Sequence, residues 1–178
     1  MRRLSTTRLP VKQHGFSMIE LLVAVLVMGI GVLGITGLQM VSLQNNRGAL
    51  VRAQAVMLAY DMMDRIRANR TINYGGLAIG APPPAGAPNC VAGNCTEAQM
   101  VTFDQAVWKC SLGLWNTNAN CAALRNGVIL PTAANQPGLP SGDGRVAVNA
   151  GTGIVTITVQ WQEPNVATLS TISIDSQG

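Results

Sequence analysis

The sequence predicts an α+β protein in which one long N-terminal helix packs on an antiparallel β-sheet. Three observations support this fold class. An apolar run fills residues 16–38, an apolar residue recurs at helical spacing from there to about residue 69, and the last third contains short alternating runs between turn residues. The apolar run exceeds the roughly 20 residues that cross a bilayer, so we expect the helix to begin inside a membrane.

The residues before this run have the order of a leader that leaves the helix in place. Gly15 and Phe16 stand between the basic residues and the apolar run, and no acid precedes Glu20. A secretory signal has its small-residue cleavage site after the apolar core. A cut between Gly15 and Phe16 would instead retain the helix. The basic residues of the leader, which hold that end in the cytoplasm, are Arg2, Arg3, Arg8 and Lys12.

This arrangement resembles the class III leader of type IV prepilins, in which a basic leader, Gly, Phe, three residues and Glu precede about twenty apolar residues. The resemblance implies a type IV pilin fold, cleavage after Gly15 and N-methylation of Phe16 by a prepilin peptidase. It also implies that Glu20 meets the Phe16 amine of a neighbouring subunit. The alternatives are a plain signal anchor, and a Glu20 that interacts only with its own helix dipole.

Four glycines occur close together in the apolar helix, at Gly29, Gly31, Gly34 and Gly37. Each costs about 1 kcal/mol of helix propensity relative to alanine, but small residues let membrane helices approach closely. They favour helix packing or local unwinding in a filament, with chance enrichment as the alternative. The tract from Ile30 to Gln39 resembles the PilV group of minor pilins.

One helix from about Ser17 to Asn69 is predicted, roughly 80 Å at 1.5 Å per residue. Its second half has a predicted apolar face that would pack on the head: Leu43, Leu50, Ala53, Met57, Tyr60, Met63 and Ile66. The opposite side is rich in arginine and is interpreted as a solvated or subunit-facing surface. Asp61 and Arg65 are spaced for an i, i+4 ion pair.

A Gly/Pro-rich loop follows, at residues 71–94, and then a short helix that starts after Thr96 and includes Cys110. Thr96 is suited to cap it, and Trp108 is expected to anchor the head. The alternating runs at 145–148, 153–161 and 168–175 predict an antiparallel meander with one buried face. Asp143 and Gly144 precede it, and a plain turn is favoured there over a calcium site.

The four cysteines, Cys90, Cys95, Cys110 and Cys121, are even in number and favour disulfides in an oxidising compartment. Three pairings are possible. Cys90–Cys95 with Cys110–Cys121 is preferred because both close short loops. A zinc site would need tighter spacing, so no metal and no cofactor is predicted.

Charge and composition give no support for catalysis or for nucleic-acid binding. The formal charge of +4 reflects twelve basic and eight acidic residues, and four of the basic ones lie in the leader. The mature chain would be balanced and would also lose His14, the one histidine. Without a nucleophile–base pair or a phosphate loop, no enzymatic activity is predicted.

The predicted organisation has four segments. They are a cleaved leader (1–15), a transmembrane and polymerisation helix (16–40), an amphipathic helix (41–70) and a periplasmic head (71–178). The resemblance implies a minor pilin in the inner membrane, N-terminus cytoplasmic, that later enters a pilus at the cell surface. Its implied partners are other minor pilins, the major pilin, the prepilin peptidase, the inner-membrane assembly platform and membrane lipid. The alternatives are a type II secretion pseudopilin and a membrane-anchored binding module that does not polymerise.

Overall fold

The computed structural model describes residues 15–127, 129–130, 137–163 and 166–177. The chain divides into two compact units, Met1–Leu43 and Gln44–Gly178. The α+β fold class and the long N-terminal helix are confirmed. The elements are α1 (Met18–Ala68), α2 (Glu97–Leu112), α3 (Ala119–Asn126), β1 (Asp143–Val148), β2 (Ile154–Gln162) and β3 (Leu169–Gln177).

The first unit consists of the apolar part of α1 and the three residues before it. Every described residue from Gly15 to Leu43 is exposed. The most apolar 18-residue window of α1 has a mean hydropathy of 2.6, with none of its residues buried. By length and composition this helix can cross a membrane. The leader residues 1–14 lie outside the described part of the chain.

The second unit has its core between α1, α2 and the sheet. The predicted apolar face of α1 is confirmed at Met63 and Ile66 and was wrong at the five residues before them. Leu50, Met57 and Tyr60 are 70%, 65% and 51% exposed, and Leu43 and Ala53 are also exposed. The side chains of α1 that are buried are Ala55, Ala59, Met62, Met63 and Ile66. The prediction followed the large side chains, whereas the real contact begins with two alanines, which let neighbouring elements approach the helix closely.

The sheet has the strand order β1-β2-β3 with both pairs antiparallel. The predicted meander is confirmed, and each strand lies within two residues of its predicted bounds. On β2 the predicted apolar face is buried, with Ile157 and Val159 fully inaccessible and Trp161 1% exposed. These side chains share one cluster with the buried face of α1, so the sheet is covered as predicted.

Helix α2 begins where the sequence predicted. Thr96 accepts from the Gln99 backbone N–H and the Gln99 side chain accepts from the Thr96 N–H, which is a capping box. Trp108 is fully buried and donates its indole N–H to the Leu58 carbonyl at 2.8 Å. It therefore joins α2 to α1, as expected of an anchor.

Helix α3 was not predicted, because it has only eight residues and follows an irregular segment. Asn118 caps it, and Cys121 attaches it to α2 through the Cys110–Cys121 disulfide. The second disulfide joins Cys90 and Cys95. These are the two pairs preferred from loop length.

Candidate processing and assembly site

The peptide bond between Gly15 and Phe16 lies outside regular structure. Residues 15–17 have no helical or strand assignment, and Phe16 is 78% exposed. The helix begins directly afterwards, since the backbone N–H groups of Glu20 and Leu21 donate to the Ser17 carbonyl at 3.1 and 3.3 Å. The peptide bond at which cleavage is expected is therefore exposed and lies directly before a regular helix.

Glu20 lies in the first turn of α1 and is exposed. Its carboxylate has no ion-pair partner among the described residues. The positive end of the helix dipole favours an acid at this position by about 0.3–1 kcal/mol. A lone carboxylate in hydrocarbon costs about 3 kcal/mol, so the dipole compensates for only part of that cost. A cation from outside the helix would supply the rest.

The four glycines of α1 are not explained by packing within the chain. Gly29, Gly31, Gly34 and Gly37 are exposed, and a Cβ built on any of them would meet no atom within 4 Å. Their cost in helix propensity therefore has no compensation inside the described molecule. The exposed surface beside them can accept another helix at short distance.

The second unit contains a buried ion pair that the sequence did not predict. Lys109 on α2 and Asp143 at the start of β1 both have fully inaccessible side chains, and Lys109 Nζ lies 2.5 Å from Asp143 Oδ1. Lys109 Nζ also donates to the Ala78 carbonyl at 2.8 Å. Burial lowers the pKa of Lys109, while the hydrogen bond and the charge of Asp143 oppose that shift.

Asp143 gathers further donors around its carboxylate. The backbone N–H groups of Gly80 and Gly144 donate to it at 2.6 and 2.8 Å, and the Trp115 indole N–H lies 3.4 Å away. The carboxylate thus ties together the loop after α1, helix α2 and strand β1. Asp143, interpreted from the sequence as part of a plain turn, therefore connects three elements of the second unit.

A second polar network connects α1 to α2. Asp104 accepts from Arg65 at 2.8 Å and from the Tyr74 hydroxyl at 2.7 Å. Arg65 also donates to Asp61 at 3.0 Å, which confirms the predicted i, i+4 pair. Burial acts to lower the pKa of Arg65, but the hydrogen bonds and charges of Asp61 and Asp104 outweigh it and raise that pKa. Arg65 is therefore partly buried against α2, whereas its side of the helix was predicted to be a solvated or subunit-facing surface.

The Tyr74 hydroxyl makes the stability of the second unit decrease as the pH rises above about 10. Burial raises the pKa of Tyr74 above its ordinary value of 10.0, and the hydrogen bond to Asp104 adds to the shift. Above pH 10 the unfolded chain therefore releases this proton before the folded chain does. We expect the free energy of unfolding to fall by up to about 1.4 kcal/mol per pH unit there.

Denaturant unfolding of the full chain in detergent micelles at pH 8 and pH 11 measures this effect. Tyr74→Phe should remove part of the pH dependence, whereas Tyr60→Phe, at the exposed tyrosine, should leave it unchanged. An identical pH dependence in wild type and Tyr74→Phe would contradict the assignment.

The long-range contacts of both networks were missed for the same reason. Lys109 stands between Trp108 and Cys110, a charge inside an apolar stretch, and this was the one available signal. Its partner Asp143 is 34 residues away, and sequence spacing does not predict such a contact.

Among the described residues no group of three or more His, Cys, Asp or Glu side chains could hold a metal ion.

Two family models match the chain in adjacent segments. Residues 11–36 match the prokaryotic N-terminal methylation motif, and residues 37–106 match the family described as type IV pilin Tt1218. No curated protein and no solved structure matches the chain significantly. The matched pilin segment ends inside α2, so α3 and the sheet lie outside it. The fold, a long N-terminal helix with an antiparallel three-stranded sheet, is consistent with that of type IV pilins. The chain is therefore similar to a type IV pilin family over residues 37–106, and a methylation motif directly precedes that segment.

Proposed function

We propose that this protein is a minor type IV pilin of the PilV kind, which helps to start filament assembly or enters the filament near its tip. It waits in the inner membrane with its N-terminus in the cytoplasm and its head in the periplasm. It then joins other minor pilins and the major pilin on the inner-membrane assembly platform. Its role is structural, and it needs no cofactor.

The observation that supports this proposal is the exposed Gly15–Phe16 peptide directly before an apolar helix. No described residue up to Leu43 is buried, so the first unit offers its whole apolar surface to lipid or to other helices. The methylation motif spans this region. A protein that retained such a helix for anchoring alone would need neither an exposed peptide bond at Gly15 nor four unpacked glycines.

The proposed assembly step uses the amine that processing creates. Cleavage after Gly15 exposes the Phe16 amine, and its methylation keeps a positive charge near the membrane surface. Glu20 of one subunit and the Phe16 amine of its neighbour neutralise each other when their helices pack. The glycines at positions 29, 31, 34 and 37 let the neighbouring helices approach closely, and the apolar side chains around them exclude lipid from the contact.

The cleavage assignment has a direct test in Gly15. In wild-type cells, intact mass analysis should find a mature chain that begins with N-methylated Phe16. In Gly15→Leu the precursor should accumulate with residues 1–15 attached, because a bulky side chain replaces the small residue beside the cut. Gly31→Ala is the matched control, since it changes a glycine beyond the cut, and its processing should equal that of wild type.

Two results would contradict the cleavage assignment. One is a wild-type chain that keeps residues 1–15, and the other is a soluble head that has lost the helix.

Two experiments test which kind of assembly this protein joins: deletion of the protein from the cell, and identification of the proteins that co-purify with it. Loss of surface pili with intact protein secretion, and co-purification with other pilins, would support the proposal. A secretion defect with normal pili would favour a type II secretion pseudopilin. If the deletion leaves both surface pili and protein secretion normal, a membrane-anchored binding module would be favoured.

A further inference from the structure

The sheet of the second unit is covered at one edge and open at the other. At the β1 edge, the Val146 N–H donates to the Leu77 carbonyl at 2.9 Å in an isolated bridge. At the β3 edge, the backbone of the described residues bonds with β2 alone, except that the Gln177 carbonyl at the end of the strand accepts from the Ser176 hydroxyl at 3.1 Å. The outer N–H and C=O groups of β3 are thus available to another strand.

Strand β3 lacks the features that usually protect an open edge. It pairs with β2 over nine consecutive residues without a bulge. It contains no proline and no lysine, and Asp175 is its one charged residue. Natural edge strands are commonly short, interrupted or positively charged, because a regular open edge recruits other chains. A long regular edge with little charge is suited to strand addition.

The open edge ends at a groove whose charge indicates which segment would fit. The groove has a volume of 430 Å³ and includes Ser176 of β3 in its lining. Its apolar residues include Met63, Ile66 and Val155, all buried in the core. The groove is also lined by two arginines of the segment where α1 ends, Arg67 and Arg70.

The two arginines differ in how far they are neutralised. Arg67 bonds to Asp64 at 3.3 Å and to the Ser176 hydroxyl at 3.4 Å. Arg70 is exposed and makes no ion pair with the described residues. A carboxylate that enters the groove would therefore find its cation at Arg70.

We propose that β3 and this groove bind an extended segment of a different protein, which adds a fourth strand to the sheet and places a carboxylate beside Arg70. Main-chain hydrogen bonds along β3 supply most of the affinity. An apolar side chain of the segment contacts the groove beside Met63 and Val155. The acidic residue determines the position of the segment along the edge.

A second copy of this chain fits the surface poorly. If two β3 edges paired antiparallel, the Gln177 end would face the Leu169 end of the other copy, where the strand carries no acid. If they paired parallel and in register, Asp175 would lie beside its own counterpart, and facing like charges are destabilising. Neither arrangement offers a carboxylate to Arg70 without a penalty.

Random eight-residue peptides displayed on phage, panned against the full chain in detergent micelles, test the proposal. Two single-proline variants, Ser170→Pro and Thr171→Pro, identify the edge. Consecutive residues of an edge strand direct their N–H groups to opposite sides of the strand. One of the two proline variants therefore removes an N–H that bonds to β2 and should be destabilised, whereas the other removes an N–H that points outward and should keep the thermal midpoint of the wild type. That stable variant blocks strand addition without unfolding the head.

We expect the selected peptides to be extended, partly apolar and acidic near the end that reaches the groove. The stable proline variant should weaken their binding at least about tenfold, about 1.4 kcal/mol. Arg70→Gln should weaken it about threefold, an effect that high salt removes, and Arg47→Gln should not change it. Hydrogen exchange of the β3 amides should slow when a selected peptide is bound.

Three results would overturn the proposal. They are no enrichment over empty micelles, binding without protection of the β3 amides, and a wild-type dimer that the stable proline variant converts to a monomer. The last would show that the edge serves a second copy of the chain. Because the peptide experiment involves neither pili nor processing, its outcome is independent of the proposed pilin role.

Discussion

Replacing Glu20 with alanine is expected to reduce incorporation of the protein into filaments at least about tenfold, about 1.4 kcal/mol per subunit contact. The substitution removes the one carboxylate of the apolar helix. In the proposed assembly step, it would leave the Phe16 amine of the neighbouring subunit unpaired. An unpaired charge in hydrocarbon costs about 3 kcal/mol. The ratio of this protein in sheared filaments to that in membranes measures the effect.

Two controls separate assembly from processing and from helix formation. Glu20→Asp keeps the charge on a shorter side chain and should retain a substantial part of the incorporation. Ser17→Ala changes another exposed residue near the start of the helix and should behave as wild type. Mass analysis should find Phe16 at the N-terminus of all three variants. Normal incorporation of Glu20→Ala into filaments would contradict the proposal that this carboxylate pairs with the amine of a neighbouring subunit.

Replacing Lys109 with methionine is expected to destabilise the second unit by about 3–5 kcal/mol, because the Asp143 carboxylate would remain buried without its cation. This is a large part of the 5–15 kcal/mol by which a typical domain is stable. The side chains of Lys109 and Asp143 are fully inaccessible, so water cannot replace the lost partner. Denaturant unfolding of the full chain in detergent micelles measures the change.

A double variant and an exposed pair serve as controls for this result. Lys109→Met combined with Asp143→Asn removes both charges, while the single amide oxygen of the Asn side chain can still accept from one of the two N–H groups, of Gly80 or of Gly144. It should therefore recover part of the lost stability. Arg52→Met breaks the ion pair with Glu163, in which the Arg52 side chain is 67% exposed. It should lower the free energy of unfolding by at most about 1 kcal/mol. A cost for Lys109→Met no larger than that for Arg52→Met would contradict the assigned role of the buried pair.

Local pattern was sufficient to predict α1, α2 and the three strands, but not α3. The apolar run before Leu43 and the helical period after it predict α1, and the Thr96 cap predicts the start of α2. The alternation around Ile157 predicts the central strand and its buried face. Each of these signals is contained in a few consecutive turns or residues, where spacing and side-chain type act directly on the backbone. The order of charge, Gly15, Phe16 and Glu20 is equally local, so the methylation motif could be read without coordinates.

The contacts between elements were decided by the tertiary structure. The sequence placed Leu50, Met57 and Tyr60 on the core face of α1, but the core forms around Ala55, Ala59 and Met62, because close approach mattered more there than side-chain size. Helix α3 depends on a cap and a disulfide rather than on its own weak pattern.

The polar centres and the open edge of the second unit also depend on the tertiary structure. Asp104 and Asp143 acquire their roles from residues far away in sequence, Arg65, Tyr74 and Lys109. Likewise, the open edge of β3 exists because a fourth strand is absent beside it among the described residues, and a strand's own sequence does not specify its neighbours. The sequence alone therefore predicted the two longer helices, the three strands and the expected processing site. Burial and charge pairing were determined by the packing of those elements, since both depend on distances in space.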